Sequence, residues 1–163
     1  NRLGLVIDDP YATMPAWRYE AIFHWEQTFP AGREIAVEHR YQPVVGYGFF
    51  GEWALEDPYY IEHYCMDEPF IRAVGNRLQA IANTPTPYLE EARIEYIVTT
   101  ANNWAAPIGE FTLTVDKGST DALVSFCGTG IVKTAPTQFQ VTAQDYFAEQ
   151  ELEVLIVRPA RQN

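Results

Sequence analysis

IEYIVTTANNWAAPIGEFTLTVDKGSTDALVSFCG, residues 94–128, carries the pattern from which the fold is read. Its apolar residues recur with period two, which suits a half-buried strand rather than a helix. Ile94, Tyr96 and Val98 share one face, and the β-branched run Val98-Thr99-Thr100 adds strand propensity. Phe111, Leu113 and Val115 alternate with Thr112, Thr114 and Asp116. This is the cleanest apolar-in, polar-out strand of the chain. Asp116–Asp121 contains a glycine and predicts a tight connection, with 123–127 returning as the second arm of a hairpin. Between the first two strands, Ala101-Asn102-Asn103-Trp104-Ala105-Ala106-Pro107 reads as a corner, because Asn tolerates positive φ while the ring of Pro107 fixes its own φ at a negative value. Trp104 is there either as a plug for the end of the core or as an exposed recognition residue.

Upstream, Trp17, Tyr19, Ala21, Phe23 and Trp25 alternate with mostly polar residues and predict a strand. Phe29-Pro30-Ala31-Gly32 predicts a turn. Ile35, Val37, His39 and Tyr41 then predict the antiparallel return. The character changes after Gln42. Gly46, Gly48 and Gly51 predict a loosened backbone. Between Arg40 and Arg72 there is no Lys or Arg, but there are six acids and nine aromatics. Asp57-Pro58 is an N-cap followed by proline in the first turn, and Asp67 with Pro69 repeats the signal. Phe70, Ile71, Val74, Leu78 and Ile81 have helical spacing. A small helical insertion over residues 57–83 follows. Short strands at 131–133, 138–142 and 151–158 complete a mainly β chain. The predicted architecture is an antiparallel β-sandwich.

At 163 residues with 47% hydrophobic and 14% aromatic content, one folded domain is expected. A formal net charge of −11 argues against nucleic acid or an anionic membrane surface as partner, since phosphate binding needs clustered cations. No apolar run reaches the roughly 20 residues of a membrane span, so no membrane insertion is expected. Two cysteines, Cys65 and Cys127, permit one disulfide or two buried thiols. A bridge would close a loop worth roughly 4 kcal/mol in the chain-entropy model.

No motif encodes catalysis. His63-Tyr64-Cys65 sets an imidazole near a thiol, but residues two apart on a helix face different ways. His24, His39 and His63 lack zinc-site spacing, and both strand histidines read as structural. Asp8-Asp9, Glu56-Asp57 and Asp67-Glu68 offer oxygen ligands for calcium without the spacing of a known loop. The best surface is the acidic, aromatic stretch. Trp53, Tyr59 and Tyr60 suit stacking on a sugar or anchoring a protein, with Glu56 and Asp57 as acceptors. Asn102, Asn103 and Trp104 form a second candidate surface. Alternatively, the aromatics simply cover the sheet edge where the helices dock.

FHWEQTFPAGREIAVEHRYQPVVG (23–46), Tyr64-Cys65-Met66-Asp67, IEYIVTTANNWAAPIGEFTLTVDKG (94–118), LVSFCG (123–128) and PTQF (136–139) resemble an exported bacterial family. That family is labelled domain of unknown function 4424. The resemblance implies export to the periplasm or beyond, and a Cys65–Cys127 disulfide in an oxidising compartment. It also implies that residues 1–163 are the C-terminal part of a longer protein with a further strand-rich half. It supplies no activity and no catalytic residues. The function expected is a non-enzymatic extracytoplasmic interaction domain for a protein, the missing half or an envelope glycan. The alternatives are an exported hydrolase using carboxylates of the acidic stretch, and a structural subunit lending its sheet edges to an assembly.

Overall fold

A computed structural model describes residues 24–43 and 45–160, together with the backbone of Val6–Asp8 and Thr13–Pro15. The chain divides into two compact units, Asn1–Arg40 and Tyr41–Asn163. In the first, β1 (Val6–Asp8) pairs antiparallel with β2 (Thr13–Pro15). Residues 24–40 are irregular apart from a turn at 31–32. The alternation at 35–41 therefore does not produce the expected strand. A strand is made by a partner that takes its N–H and C=O groups, and none runs beside 35–41 among the described residues. The arm predicted over 17–23 lies outside them. His24 and His39 are thus not on paired strands, and the His39 ring instead packs 4.7 Å from that of Trp25.

The second unit has three layers. Its middle layer is a four-stranded antiparallel sheet of order β3-β4-β9-β6, from Gly46–Phe50, Leu89–Tyr96, Leu152–Pro159 and Leu123–Phe126. On one face lie a 3-10 turn (Glu52–Leu55), α1 (Pro58–His63) and α2 (Glu68–Ile81). On the other is a three-stranded sheet of order β5-β8-β7, from Ile108–Asp116, Gln138–Tyr146 and Val132–Lys133. The sandwich with a helical insertion is present, and the helices stay within the expected boundaries.

β9 shows why the layers assemble. Leu155 and Val157 point into a cluster with Phe50, Tyr64, Phe70, Val74, Leu78 and Leu89 under the helices. Val154 points the other way, to Val115, Phe126 and Val141 between the sheets, with Leu152 and Ile156 packed against them. Full burial of each such side chain contributes about 1.5–3 kcal/mol. Both helices start as the sequence specifies, with Asp57 accepting from the Tyr59 N–H at 2.9 Å and Asp67 from the Phe70 N–H at 2.8 Å.

Three local readings are corrected. β5 and β6 are not a hairpin: β5 pairs with β8, while β6 crosses to β9. β6 is apolar at Leu123, Val124 and Phe126, which suits a sheet covered on both faces, whereas the threonine face of β5 suits an outer sheet. Ser125 Oγ donates to the Tyr64 carbonyl at 2.9 Å and so ties β6 to the helical layer. The glycine-rich 46–50 is a strand rather than a loosened segment, because Gly48 makes room for Glu91: a Cβ there would lie 2.6 Å from Glu91 Oε1. Finally, Thr99–Asn103 is a 3-10 turn, so the β-branched run ends a strand instead of extending it.

Cys65 and Cys127 form a disulfide with a sequence separation of 62. Cys65 also closes α1. It has φ 49°. Its N–H donates to the Glu62 carbonyl at 3.4 Å, and the Met66 N–H donates to the Ile61 carbonyl at 3.0 Å. That is the left-handed Schellman closure usually made by glycine. Two effects are therefore separable. The Cys65→Ser/Cys127→Ser double variant should lose about 4 kcal/mol of unfolding free energy. Cys65→Gly/Cys127→Ser should recover roughly 0.5–1 kcal/mol of that, because glycine adopts positive φ without a Cβ penalty. Denaturant unfolding checks both, and equal stability of the two variants would contradict the cap.

Candidate functional site

The acidic aromatic stretch divides into structural and exposed residues. Tyr60 is buried, and its hydroxyl donates to Glu91 Oε1 at 3.1 Å. Burial, then the neighbouring Glu91 charge, pushes the phenol up to about 12. Asp57 is held by its capping bond. Trp53 is 56% exposed, with its ring 5.3 Å from Tyr60 and 6.5 Å from Phe50. It is half lid and half surface. Tyr59 is exposed and stacks on His63 at 4.4 Å, and His63 Nε2 lies 2.5 Å from Glu153 Oε2. Glu56 is exposed.

The Asn102–Trp104 corner is built on the connection between β8 and β9. Asn102 Nδ2 donates to the Ala148 carbonyl at 2.7 Å, and its Oδ1 accepts from the Ala148 N–H at 3.2 Å. Glu151 accepts from the Val98 N–H at 2.7 Å, the Thr99 N–H at 3.2 Å and the Thr99 hydroxyl. These bonds, led by the Thr99 hydroxyl, hold the Glu151 carboxyl below its ordinary range. Asn103 and Trp104 are left exposed, Trp104 by 66%. Trp104 is therefore no plug. Glu151 and His63, which anchor the two candidate surfaces, line one pocket of about 220 Å³ with Glu62, Gln150 and Glu153. Among the described residues, no group of three or more His, Cys, Asp or Glu side chains is placed to hold a metal ion.

The larger opportunity lies elsewhere, between the sheets. The three-stranded sheet ends at β5, whose outer edge has no strand partner among the described residues. Beside that edge runs a groove of about 380 Å³, walled by Leu113 and Phe111 of β5, Ile94 and Tyr96 of β4, and Val154 and Ile156 of β9. Further across the same face of the middle sheet, Tyr47 and Phe49 are 66% and 68% exposed. Phe49 meets Tyr88 edge-on at 4.6 Å, and the Arg158 guanidinium sits 6.0 Å from the Tyr47 ring while pairing with Glu90 at 3.3 Å. One sheet thus stops short of covering the other. Sequence reasoning missed this surface. Its signal was the alternation Tyr47-Gly48-Phe49, hidden because the glycines predict a loosened backbone.

On the opposite face, under β3, lies a buried polar cluster. Glu91 is 3% exposed, Arg93 Nε lies 3.3 Å from Glu91 Oε1, and the Glu91 Oε2 and Tyr64 hydroxyl atoms have no hydrogen-bond partner among the described residues. Burial raises the Glu91 carboxyl above its ordinary value, partly offset by Tyr60 and Arg93.

A family model described as Domain of unknown function (DUF4424) matches residues 2–155 of the 163-residue chain. The chain belongs to the DUF4424 family. No curated protein and no solved structure gives a significant match. The resemblance read from the sequence is thereby established at the level of the family. Membership in DUF4424 carries no activity with it.

Two expectations follow from this geometry. Trp104→Ala should change stability by less than about 0.5 kcal/mol, whereas Trp53→Ala should cost about 1–2 kcal/mol through its contacts with Tyr60 and Phe50. Denaturant unfolding separates them, and a loss above about 2 kcal/mol for Trp104→Ala would restore the plug. For Glu91, a raised folded-state pKa means that the native chain holds a proton the unfolded chain releases. Its contribution is therefore fullest below the unfolded value near 4.5 and declines as pH rises from there towards the folded value. The stability of the wild-type chain relative to Glu91→Gln should fall over that rise. Parallel pH profiles would contradict it.

Proposed function

We propose that this domain is a non-enzymatic, extracytoplasmic interaction module that takes up an extended segment of another polypeptide as an added strand beside β5. The observation that carries the reading is the nine-residue β5 edge, unpaired among the described residues, standing over an apolar groove. An edge of free N–H and C=O groups is a template for strand addition. In that mode the main-chain bonds supply affinity, and the pockets for alternate side chains supply specificity. Further support comes from Tyr47, Phe49 and Tyr96, which leave apolar surface on the face such strands would cover.

The Cys65–Cys127 disulfide fits an oxidising compartment outside the cytoplasm. No described helix is long and apolar enough to cross a membrane. Asp57, one of the carboxylates that a hydrolase built on the acidic stretch would use, is occupied as a helix cap. Trp53, Tyr59 and Trp104 are a secondary surface on this reading.

The test is crosslinking with mass spectrometry on the oxidised chain in an envelope extract, comparing wild type with Thr112→Pro and Leu113→Pro. Adjacent residues of a strand aim their N–H groups at opposite edges. One of these prolines therefore blocks only the open edge, and is recognised by its retained melting temperature. The expected result is crosslinks from residues 108–116 to one contiguous partner segment, lost in the folded proline variant. Crosslinks that survive that variant and disappear in Trp53→Ala or Trp104→Ala would overturn the reading.

A further inference from the structure

β5 carries charge as well as an open edge. Glu110, Thr112, Thr114 and Asp116 lie exposed on its outer face, with Leu113 and Val115 turned into the core between the sheets and Phe111 lining the groove. The neighbour on the paired side, β8, sets only neutral groups against these acids: Gln144 stands opposite Glu110 and Gln138 opposite Asp116. Gln138 Nε2 donates to Asp116 Oδ2 at 3.1 Å, and the Gly118 N–H donates to Oδ1 at 2.8 Å. Both donors satisfy the carboxylate without neutralising it, and they hold the Asp116 carboxyl below its ordinary range. Neither acid has an ion-pair partner among the described residues.

The lysines nearest in sequence and sheet are committed elsewhere. Lys117 Nζ donates to the Thr120 and Ala122 carbonyls, and Lys133 lies over the Phe139 ring. The two carboxylates near the ends of β5 are thus exposed and have no cation paired with them among the described residues.

Resting on the strand-accepting reading above, we infer that the segment added to β5 is cationic at both ends, with the pattern basic–apolar–any–apolar–any–apolar–basic. Residues opposite each other in a ladder share a face. Positions opposite Phe111, Leu113 and Val115 therefore enter the groove over Ile94 and Tyr96, and positions opposite Glu110 and Asp116 face outward beside a carboxylate. The pattern is symmetric about Leu113, so it is satisfied by a strand running in either direction. Its two cations are six residues apart, roughly 20 Å at the rise of an extended chain. A second copy of this chain fits poorly. Each copy has a net charge of −11, and a β5–β5 pairing would bring four carboxylates to one ribbon with no cation on it.

Two acetylated, amidated peptides test this, Lys-Val-Thr-Val-Thr-Val-Lys and its counterpart with Glu at both ends, titrated into the oxidised full chain by calorimetry. The Lys-ended peptide should bind at least about tenfold more tightly at low ionic strength, because two attractive pairs replace two repulsive ones. The ratio should shrink with added salt and collapse towards unity in Glu110→Gln/Asp116→Asn, where asparagine keeps the acceptor for the Gly118 N–H. Binding of both peptides with equal affinity, abolished by the edge-blocking proline, would overturn the charge inference and leave strand addition standing. Binding of neither at millimolar concentration would overturn the inference too. If partner crosslinks also survived the edge-blocking proline, strand addition itself would fall.

Discussion

The second unit depends on the burial of β9 from both sides. Leu155 and Val157 hold the helical layer and Val154 holds the second sheet, so one eight-residue strand joins both cores. β4 and β6 flank it and close its hydrogen bonds. A strand with two apolar faces cannot sit at a surface without exposing one of them. The helices and the three-stranded sheet are therefore consequences of its composition, and β6, apolar on both faces as well, is drawn beside it rather than beside β5.

The disulfide and the Schellman closure lock the helical side of that arrangement. Cys65 ends α1, turns the chain towards α2 and bonds to the residue following β6, while Ser125 reaches the Tyr64 carbonyl. Among the described residues, no disulfide or comparable tie completes the opposite side. β5 alternates strictly, buries one face and leaves its outer edge open among the described residues, and the groove beside it is apolar where solvent would favour polar side chains. A well-anchored middle layer with a narrower outer sheet is a rigid frame for a strand supplied by something else, which links the fold to the proposed role.

Much of this architecture is legible in the residues. Asp57-Pro58 and Asp67 with Pro69 specify where two helices begin, and the 111–115 alternation specifies β5 and which way it faces. Pairing was not legible in the same way, because period two states that a segment can be a strand without saying with whom. That is why 111–127 read as a hairpin and why 35–41 read as a strand. β6 held a usable clue, since Leu123-Val124 together with Phe126 breaks strict alternation and signals burial on two faces. Of the candidate site residues, Trp53, Glu56, Tyr59, Asn103 and Trp104 reach solvent, while Asp57, Tyr60 and Asn102 are spent on a cap, a buried hydrogen bond and a loop anchor. The groove could not be found from any single segment, because β4, β5 and β9 build it from three distant parts of the chain.

The openness of β5 is the claim on which the functional account stands, and amide hydrogen exchange followed by NMR on the oxidised chain tests it directly. Alternate amides between Ile108 and Asp116 should exchange fast, because they point away from β8, while amides of β4 and β9 are slow and those of β5 that face β8 are intermediate. Uniform protection along β5, matching β9, would mean that the edge is already covered and would contradict the account.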